Sequence, residues 1–310
     1  MKLSLVIPCY NEEQNIRPFY EACQSALTCE VEWVFVNDGS RDGTWSELLS
    51  LYETEQNIRL VNLSRNFGKE SAMYAGLREA TGEYVTLIDA DLQQHPRYVQ
   101  EMVDFLDAHP AYDAVAAYQE QRREGKVLTF FKKAFYRLMN RICDTDFRSG
   151  ASDFRTLRRC VVDSVLSMQE YFRFSKGLFS WVGYNTYYMP YKVEDRRAGK
   201  TSWSFGKLFR YAIEGIVAFS TAPLTLAVYL GGIFSALSLL YMVAVVIQKL
   251  FFGIDVPGYP TLIVLILLLG GIQMILLGII GQYIAKIYIE GKKRPIYIAR
   301  EVLKKDETDA

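Results

Sequence analysis

Leu3-Ser4-Leu5-Val6-Ile7-Pro8-Cys9-Tyr10-Asn11-Glu12-Glu13 opens as a short apolar, β-rich run and closes on a polar, acidic turn. Leu3 to Ile7 reads as a buried strand. The turn after this strand lacks G-x-G-x-x-G, so the dinucleotide-binding fingerprint is absent. Four further runs have the same strand character: Val31 to Val36, Ile58 to Leu63, Tyr84 to Ile88 and Asp113 to Ala117. Amphipathic helical stretches lie between them, at Asp42 to Thr54, Gly68 to Ala80 and Pro96 to Leu106, the last with Val99, Met102, Val103 and Leu106 on one face. Strand–helix alternation predicts an α/β fold, a mainly parallel sheet with helices on both sides. Ligands of such a sheet bind beyond the carboxyl ends of its strands.

The 310 residues carry 35 Lys and Arg against 35 Asp and Glu, a balance that offers no electrostatic footprint for nucleic acid. Apolar residues make up 50% and charged residues 23%, which excludes disorder. The apolar residues are unevenly spread. No charge lies between Glu214 and Lys249, and none between Asp255 and Lys286. Each interval exceeds the ~20 residues needed to cross a bilayer. Transmembrane helices are expected at about 226–247 and 261–285, in a membrane domain of residues 211–290. Residues 1–210 then form a water-soluble front end and 291–310 a tail. The loop between the spans carries only Lys249 and Asp255. Lys207 and Arg210 precede the first span, and Lys286, Lys292, Lys293 and Arg294 come after the second. The positive-inside rule places the front end and both termini in the cytoplasm, at an inner (plasma) membrane crossed more than once. Gly231-Gly232, Gly270-Gly271, Gly278 and Gly281 leave room for close helix approach, and a homo-oligomer is expected, a tetramer among its forms. Five cysteines without Cys-x-x-C fit a reducing compartment, and no signal peptide is read ahead of the first strand.

From Arg122 to Ile142, Val127, Leu128, Phe131, Phe135, Leu138, Met139 and Ile142 recur at helical spacing among seven cations and one acid, Glu124. Such a helix lies in the headgroup layer of a bilayer, or else packs on the sheet with a solvated basic face.

Carboxylates stand just past three strand ends: Glu12 and Glu13, Asp38, and Asp89 with Asp91. One acid in such a place is usually a helix cap. Three together suggest a site, and Asp-x-Asp after a buried strand is a natural seat for Mg²⁺ or Mn²⁺. A diphosphate leaving group needs such a cation, because charge develops on it.

Pro8-x-Tyr10-Asn11-Glu12-Glu13, Asn37-Asp38-Gly39-Ser40-x-Asp42 and Asp89-Ala90-Asp91-Leu92-Gln93 resemble the signature of family 2 glycosyltransferases, which have the GT-A fold, a Rossmann-like, mixed and mainly parallel sheet. Leu63-Ser64-Arg65-Asn66-Phe67-Gly68-Lys69-Glu70, Asp153-Phe154-Arg155, Phe174-Ser175-Lys176-Gly177-Leu178-Phe179 and Val256-Pro257-Gly258-Tyr259 narrow the resemblance. They are similar to the bacterial polyprenyl-phosphate glycosyltransferases of the bactoprenol type, relatives of dolichol-phosphate mannose synthase. The resemblance implies a UDP-sugar donor, undecaprenyl phosphate in the lipid bilayer as acceptor, and Mg²⁺ or Mn²⁺ as cofactor. It implies that Asp38 receives the uracil or ribose, with Pro8, Tyr10 and Glu12 as the adjacent wall and Ala90 between the acids. Asp89 and Asp91 would hold the metal. Arg65 and Lys69 would add cationic contacts to the donor, unless they are only a solvated helix start. Ser64 and Glu70 receive no role. Asp153 would lie beside the reaction centre, as base or as orienting group, against the alternative of a salt bridge to Arg155.

Lys192, Arg196, Arg197, Lys200, Lys207 and Arg210 stand against Glu194 and Asp195 in the segment before the first span. A cationic, Gly-bearing loop suits a lipid phosphate, with Arg196 and Lys200 as its ligands; attraction to anionic headgroups would explain the charge too. Ser202 stands where relatives often carry Lys. The expected reaction is inverting transfer of glucose or N-acetylglucosamine to the lipid phosphate, for modification of cell-surface polymers. A processive polysaccharide synthase is the rival enzyme, but Gln-x-x-Arg-Trp and additional membrane helices are missing. A catalytically idle, nucleotide-sugar-binding subunit is the rival of another class.

Overall fold

All five apolar runs form strands in the computed structural model, which describes residues 2–119, 151–192, 220–252 and 258–305. They are β1 (Leu3–Cys9), β2 (Val31–Asn37), β3 (Ile58–Leu63), β4 (Tyr84–Leu87) and β5 (Ala114–Gln119). Helices α1 (Ile16–Ala26), α2 (Thr44–Thr54), α3 (Lys69–Glu79) and α4 (Arg97–Ala108) alternate with them. Six elements go beyond those read in the sequence: α1, β6 (Ala151–Arg158), α5 (Arg159–Ser167), α6 (Ser175–Trp181), β7 (Thr186–Tyr191) and β8 (Ala299–Lys304).

The eight strands form one sheet in the order β7-β5-β6-β4-β1-β2-β3-β8. β3, β2, β1 and β4 are parallel, and the order reverses at β1, which pairs with both β2 and β4. That reversal opens a crevice at the carboxyl ends of β1, β2 and β4. Beyond β4 the direction changes: β6 runs antiparallel to β4 and to β5, while β7 is parallel to β5. β8 pairs antiparallel with β3. Residues 299–304, expected as part of a tail, are therefore an edge of the sheet.

The central strands are apolar on both faces because helices cover both. On one side Leu3, Leu5, Ile7 and Phe35 pack with Phe19, Leu48, Leu51, Val99, Met102 and Leu106 of α1, α2 and α4. On the other, Val6, Val34, Val85 and Leu87 meet Met73 and Leu77 of α3 and Val161, Val162 and Val165 of α5. Gly76 sets how closely α3 lies on the sheet: a Cβ there would come within 2.3 Å of Val6 Cγ1. This contact fixes the helix whose first residue is Lys69.

A second unit, residues 211–293, holds α7 (Ala222–Phe252) and α8 (Tyr259–Gly291). Ala222–Val245 and Val264–Gly291 are long and apolar enough to cross a membrane, and neither is buried within the protein. Apolar side chains such as Leu240, Tyr241, Leu267, Met274 and Ile287 are exposed, as on a helix that is hydrophobic all round and solvated by lipid. Both helices run a few residues past the expected spans. The basic amphipathic stretch 122–142, Arg196 and Lys200 lie outside the described residues.

Candidate active site

At the crevice, the turns after β1 and β2 are laced together. Asn11 adopts a left-handed conformation (φ 56°), which its short polar side chain tolerates. Its N–H donates to Ser40 Oγ at 3.0 Å and its Oδ1 accepts from the Arg41 N–H at 2.9 Å. The Glu12 N–H donates to Thr44 Oγ1 at 2.8 Å, and Glu13 Oε2 accepts from the Gly43 N–H at 3.1 Å. Glu13 thus serves the loop. Tyr10 stays exposed beside it, and Pro8 sits inside β1 opposite Val36.

Asp38 is buried, and its two oxygens accept the backbone N–H groups of Phe67 (2.7 Å) and Gly68 (2.9 Å). Burial raises its pKa, against the pull of those two bonds and of Arg65. The turn it holds comes very close. A Cβ on Gly39 (φ +63°) would stand 2.4 Å from the carbonyl carbon of Arg65, so only glycine fits there. Asp38 therefore latches the turn that starts α3. The Arg65 guanidinium lies 3.9 Å from the Phe67 ring centroid and donates to the Asn66 carbonyl.

Lys69, the first residue of α3, brings the distant parts of the site together. Its Nζ lies 2.5 Å from Asp89 Oδ1, 2.8 Å from Asp89 Oδ2 and 3.7 Å from Asp153 Oδ2. Burial opposes its charge, but Asp89 and then Asp153 outweigh burial and raise its pKa. Gln94 also grips Asp89: it accepts the Asp89 N–H at 3.0 Å and donates to Oδ2 at 3.2 Å. Asp153 also faces burial, yet Lys69, then Lys176 and Arg155, hold its pKa below the usual carboxylate value. Its Oδ1 is buried and accepts no hydrogen bond among the described residues. Arg155, two residues on, is buried over the Phe179 ring at 4.0 Å and donates to the Ser152 carbonyl, so it is not locked to Asp153.

Asp91 Oδ1 accepts the Gln93 N–H at 3.1 Å, and Ala90 between the two acids is buried. Among the described residues no group of three His, Cys, Asp or Glu forms a metal cage. Two carboxylates are the usual protein share for Mg²⁺, which keeps water and takes further oxygens from phosphate. The Asp89/Asp91 pair fits a hard divalent cation that binds along with a diphosphate.

Two participants, Glu70 and Gln94, carry no assigned role in the sequence pattern. Glu70 accepts from the Ser175 N–H at 3.0 Å and from the Ser175 hydroxyl, tying the start of α3 to the start of α6. Burial first and the charge of Asp153 second push its pKa up to about 7. Glu70 and Ser175 each stand in a family-like motif, but only the fold makes them partners. Gln94 carries no local signal.

The glycosyl transferase family 2 model matches residues 4–166, and the GtrB C-terminal hairpin model matches residues 222–287. An uncharacterized glycosyltransferase of Synechocystis is 42% identical, over 97% of this chain and 96% of that protein. The prophage bactoprenol glucosyl transferase homolog of Escherichia coli (strain K12) is 39% identical, over 98% of this chain and all of its own. The bactoprenol glucosyl transferase of Shigella phage SfV is 40% identical, over 97% and 98%. Among solved structures, glucosyl-3-phosphoglycerate synthase of Mycobacterium tuberculosis is similar with a TM-score of 0.48 and 18% identity, over 70% of this chain and 77% of that one.

Proposed function

The chain belongs to glycosyl transferase family 2 and carries the GtrB C-terminal hairpin, and from this premise we propose that it transfers glucose from UDP-glucose to the phosphate of undecaprenol, with inversion at the anomeric carbon. The observation that carries the reading is the convergence of Asp89, past β4, and Asp153, on β6, upon Lys69. An acid suited to the donor and one suited to the acceptor thereby share a single cation at the strand ends. The relatives named bactoprenol glucosyl transferase support a polyprenyl acceptor, and favour glucose over N-acetylglucosamine.

In this mechanism the lipid phosphate attacks the anomeric carbon from the face opposite UDP. Asp89 and Asp91 hold Mg²⁺ or Mn²⁺, which when bound neutralises charge on the diphosphate. Pro8, Tyr10 and Glu12 wall the nucleotide, and Asp38 keeps the Arg65 turn closed against that wall. Asp153 orients the acceptor. A phosphate monoester has a second pKa of about 6 and is already largely ionised at pH 7, so removing its proton contributes little. Arg196 and Lys200 grip the acceptor phosphate, a role that rests on the sequence pattern.

The chain works at a membrane with its sheet in the cytoplasm. β8 comes after α8 yet pairs with β3, which precedes α7. Two crossings return the chain to the side it left, and the flanking Lys and Arg favour the cytoplasm. The glycines of α7 and α8 suit self-association, with a homo-oligomer as the working form.

The test incubates the purified full chain with undecaprenyl phosphate and radiolabelled UDP-glucose, UDP-N-acetylglucosamine or UDP-galactose, with and without Mn²⁺. Label passes to lipid from UDP-glucose and needs the metal. Transfer from another donor would refute the sugar assignment, and no transfer from any donor would refute the reaction.

A further inference from the structure

The strongest cation contact in the site is made to a residue that a divalent metal would also need. Lys69 Nζ engages both oxygens of Asp89, at 2.5 and 2.8 Å. A metal taking that carboxylate competes with the ammonium group, since two cations on one carboxylate repel each other. Asp89 is the anchored member of the pair, because Gln94 bonds it by backbone and side chain together. Lys69 can yield: its side chain is 44% exposed, on a flexible four-carbon stem. It also has somewhere to go. Asp153 Oδ2 is already 3.7 Å from Nζ, and Asp153 Oδ1 is buried without a hydrogen bond among the described residues.

We propose that Lys69 is an exchangeable counter-ion, which neutralises Asp89 until a divalent cation takes that carboxylate and then turns wholly to Asp153. The inference rests on the reading that Asp89 and Asp91 hold the metal. Loading of the donor side is thereby coupled to the acceptor side: arrival of the metal gives Asp153 a full ammonium partner, which fixes its charge and orientation. By linkage, the metal and the Lys69–Asp89 contact weaken one another equally. Lys69 is a positioning residue in this scheme, acting on the reaction through Asp153.

The test is Mn²⁺ titration followed by electron paramagnetic resonance on the full chain in detergent with saturating UDP and no lipid acceptor, a readout independent of turnover. Couplings of this kind span roughly 5–150-fold, and Lys69→Met should bind Mn²⁺ at least about tenfold more tightly than the unaltered chain. Lys69→Arg, which keeps the cation, should bind it as the unaltered chain does. Lys69→Gln serves as a second neutral variant should Lys69→Met fail to fold. Equal or weaker Mn²⁺ binding by the neutral variants would overturn the exchange. Asp91→Asn separates the two failures: if it binds Mn²⁺ like the unaltered chain, the metal assignment falls, and the exchange with it.

Discussion

The two ends of the parallel strands contain the same ingredients and use them differently. At the amino ends, Glu32 of β2 is buried and accepts from Ser4 Oγ, from the Thr81 N–H (2.7 Å) and from Thr81 Oγ1 (2.9 Å), with Arg59 at 2.6 Å. At the carboxyl ends, Asp153 shares Lys69 with Asp89 and leaves Oδ1 without a hydrogen bond among the described residues. A buried carboxylate costs several kcal/mol to desolvate, and hydrogen bonds must offset that cost. Glu32 has its offset within the fold. Asp153 has its offset in the charges of Lys69, Lys176 and Arg155, and keeps Oδ1 without a hydrogen bond among the described residues, an oxygen still open to a ligand.

Substituting each acid should break the comparison in opposite ways. Asp153→Asn should lower the transfer rate by at least about 10²-fold, the usual loss for an orienting or acid–base group. It should move the unfolding midpoint of the full chain in detergent less than Glu32→Ala does, because Lys69 keeps Asp89 as its partner. Glu32→Ala should do the reverse. Removing one member of a buried pair costs about 3–5 kcal/mol, seen as a lower denaturation midpoint, while activity per folded molecule stays unchanged. If Glu32→Ala abolished transfer at full stability, the division between the two ends would be wrong.

Gly39→Ala probes whether the open end also depends on backbone fit. The left-handed conformation alone costs about 1–2 kcal/mol for a residue with a Cβ, before the contact with Arg65 is counted. The displaced turn should loosen the Asp38 latch and raise the KM for the sugar nucleotide, measured by steady-state kinetics.

Legibility in the sequence obeys the same division. β1 to β5 announce themselves because both faces are buried, which makes near-continuous apolar runs. β6 does not, since Asp153, Arg155 and Thr156 interrupt it where it lines the site beside β4. β7 carries Pro190 and β8 carries Arg300, Glu301 and Lys304, residues that edge strands tolerate and that blur a strand pattern. Asp38, Asp89, Asp91 and Asp153 stand out as acids at strand ends or in family-like motifs. That Lys69 joins two of them, or that Glu70 holds Ser175, depends on α3 lying against the sheet at Gly76, which no local pattern encodes.

The smallest effect sharpens the comparison through the sign of a pH dependence. Glu32 has its pKa lowered: burial pushes it up, but Ser4, Thr81 and Arg59 together outweigh burial. It therefore contributes stability above its unfolded value of about 4.3, lost as pH falls through the lower folded value. Glu70, beside the open site, is pushed the other way, to about 7. The folded chain then holds the Glu70 proton more tightly than the unfolded chain does. Stability from this group is complete below about pH 4.3 and is lost as pH rises through about 7, with a slope of at most about 1.4 kcal/mol per pH unit. Glu70→Gln removes this titration while keeping an acceptor for Ser175. Melting of the full chain between pH 5 and 8 should fall with rising pH less steeply in Glu70→Gln than in the unaltered chain. Parallel curves would mean that Glu70 is ionised throughout, and that the open end holds its acids as firmly as the closed one.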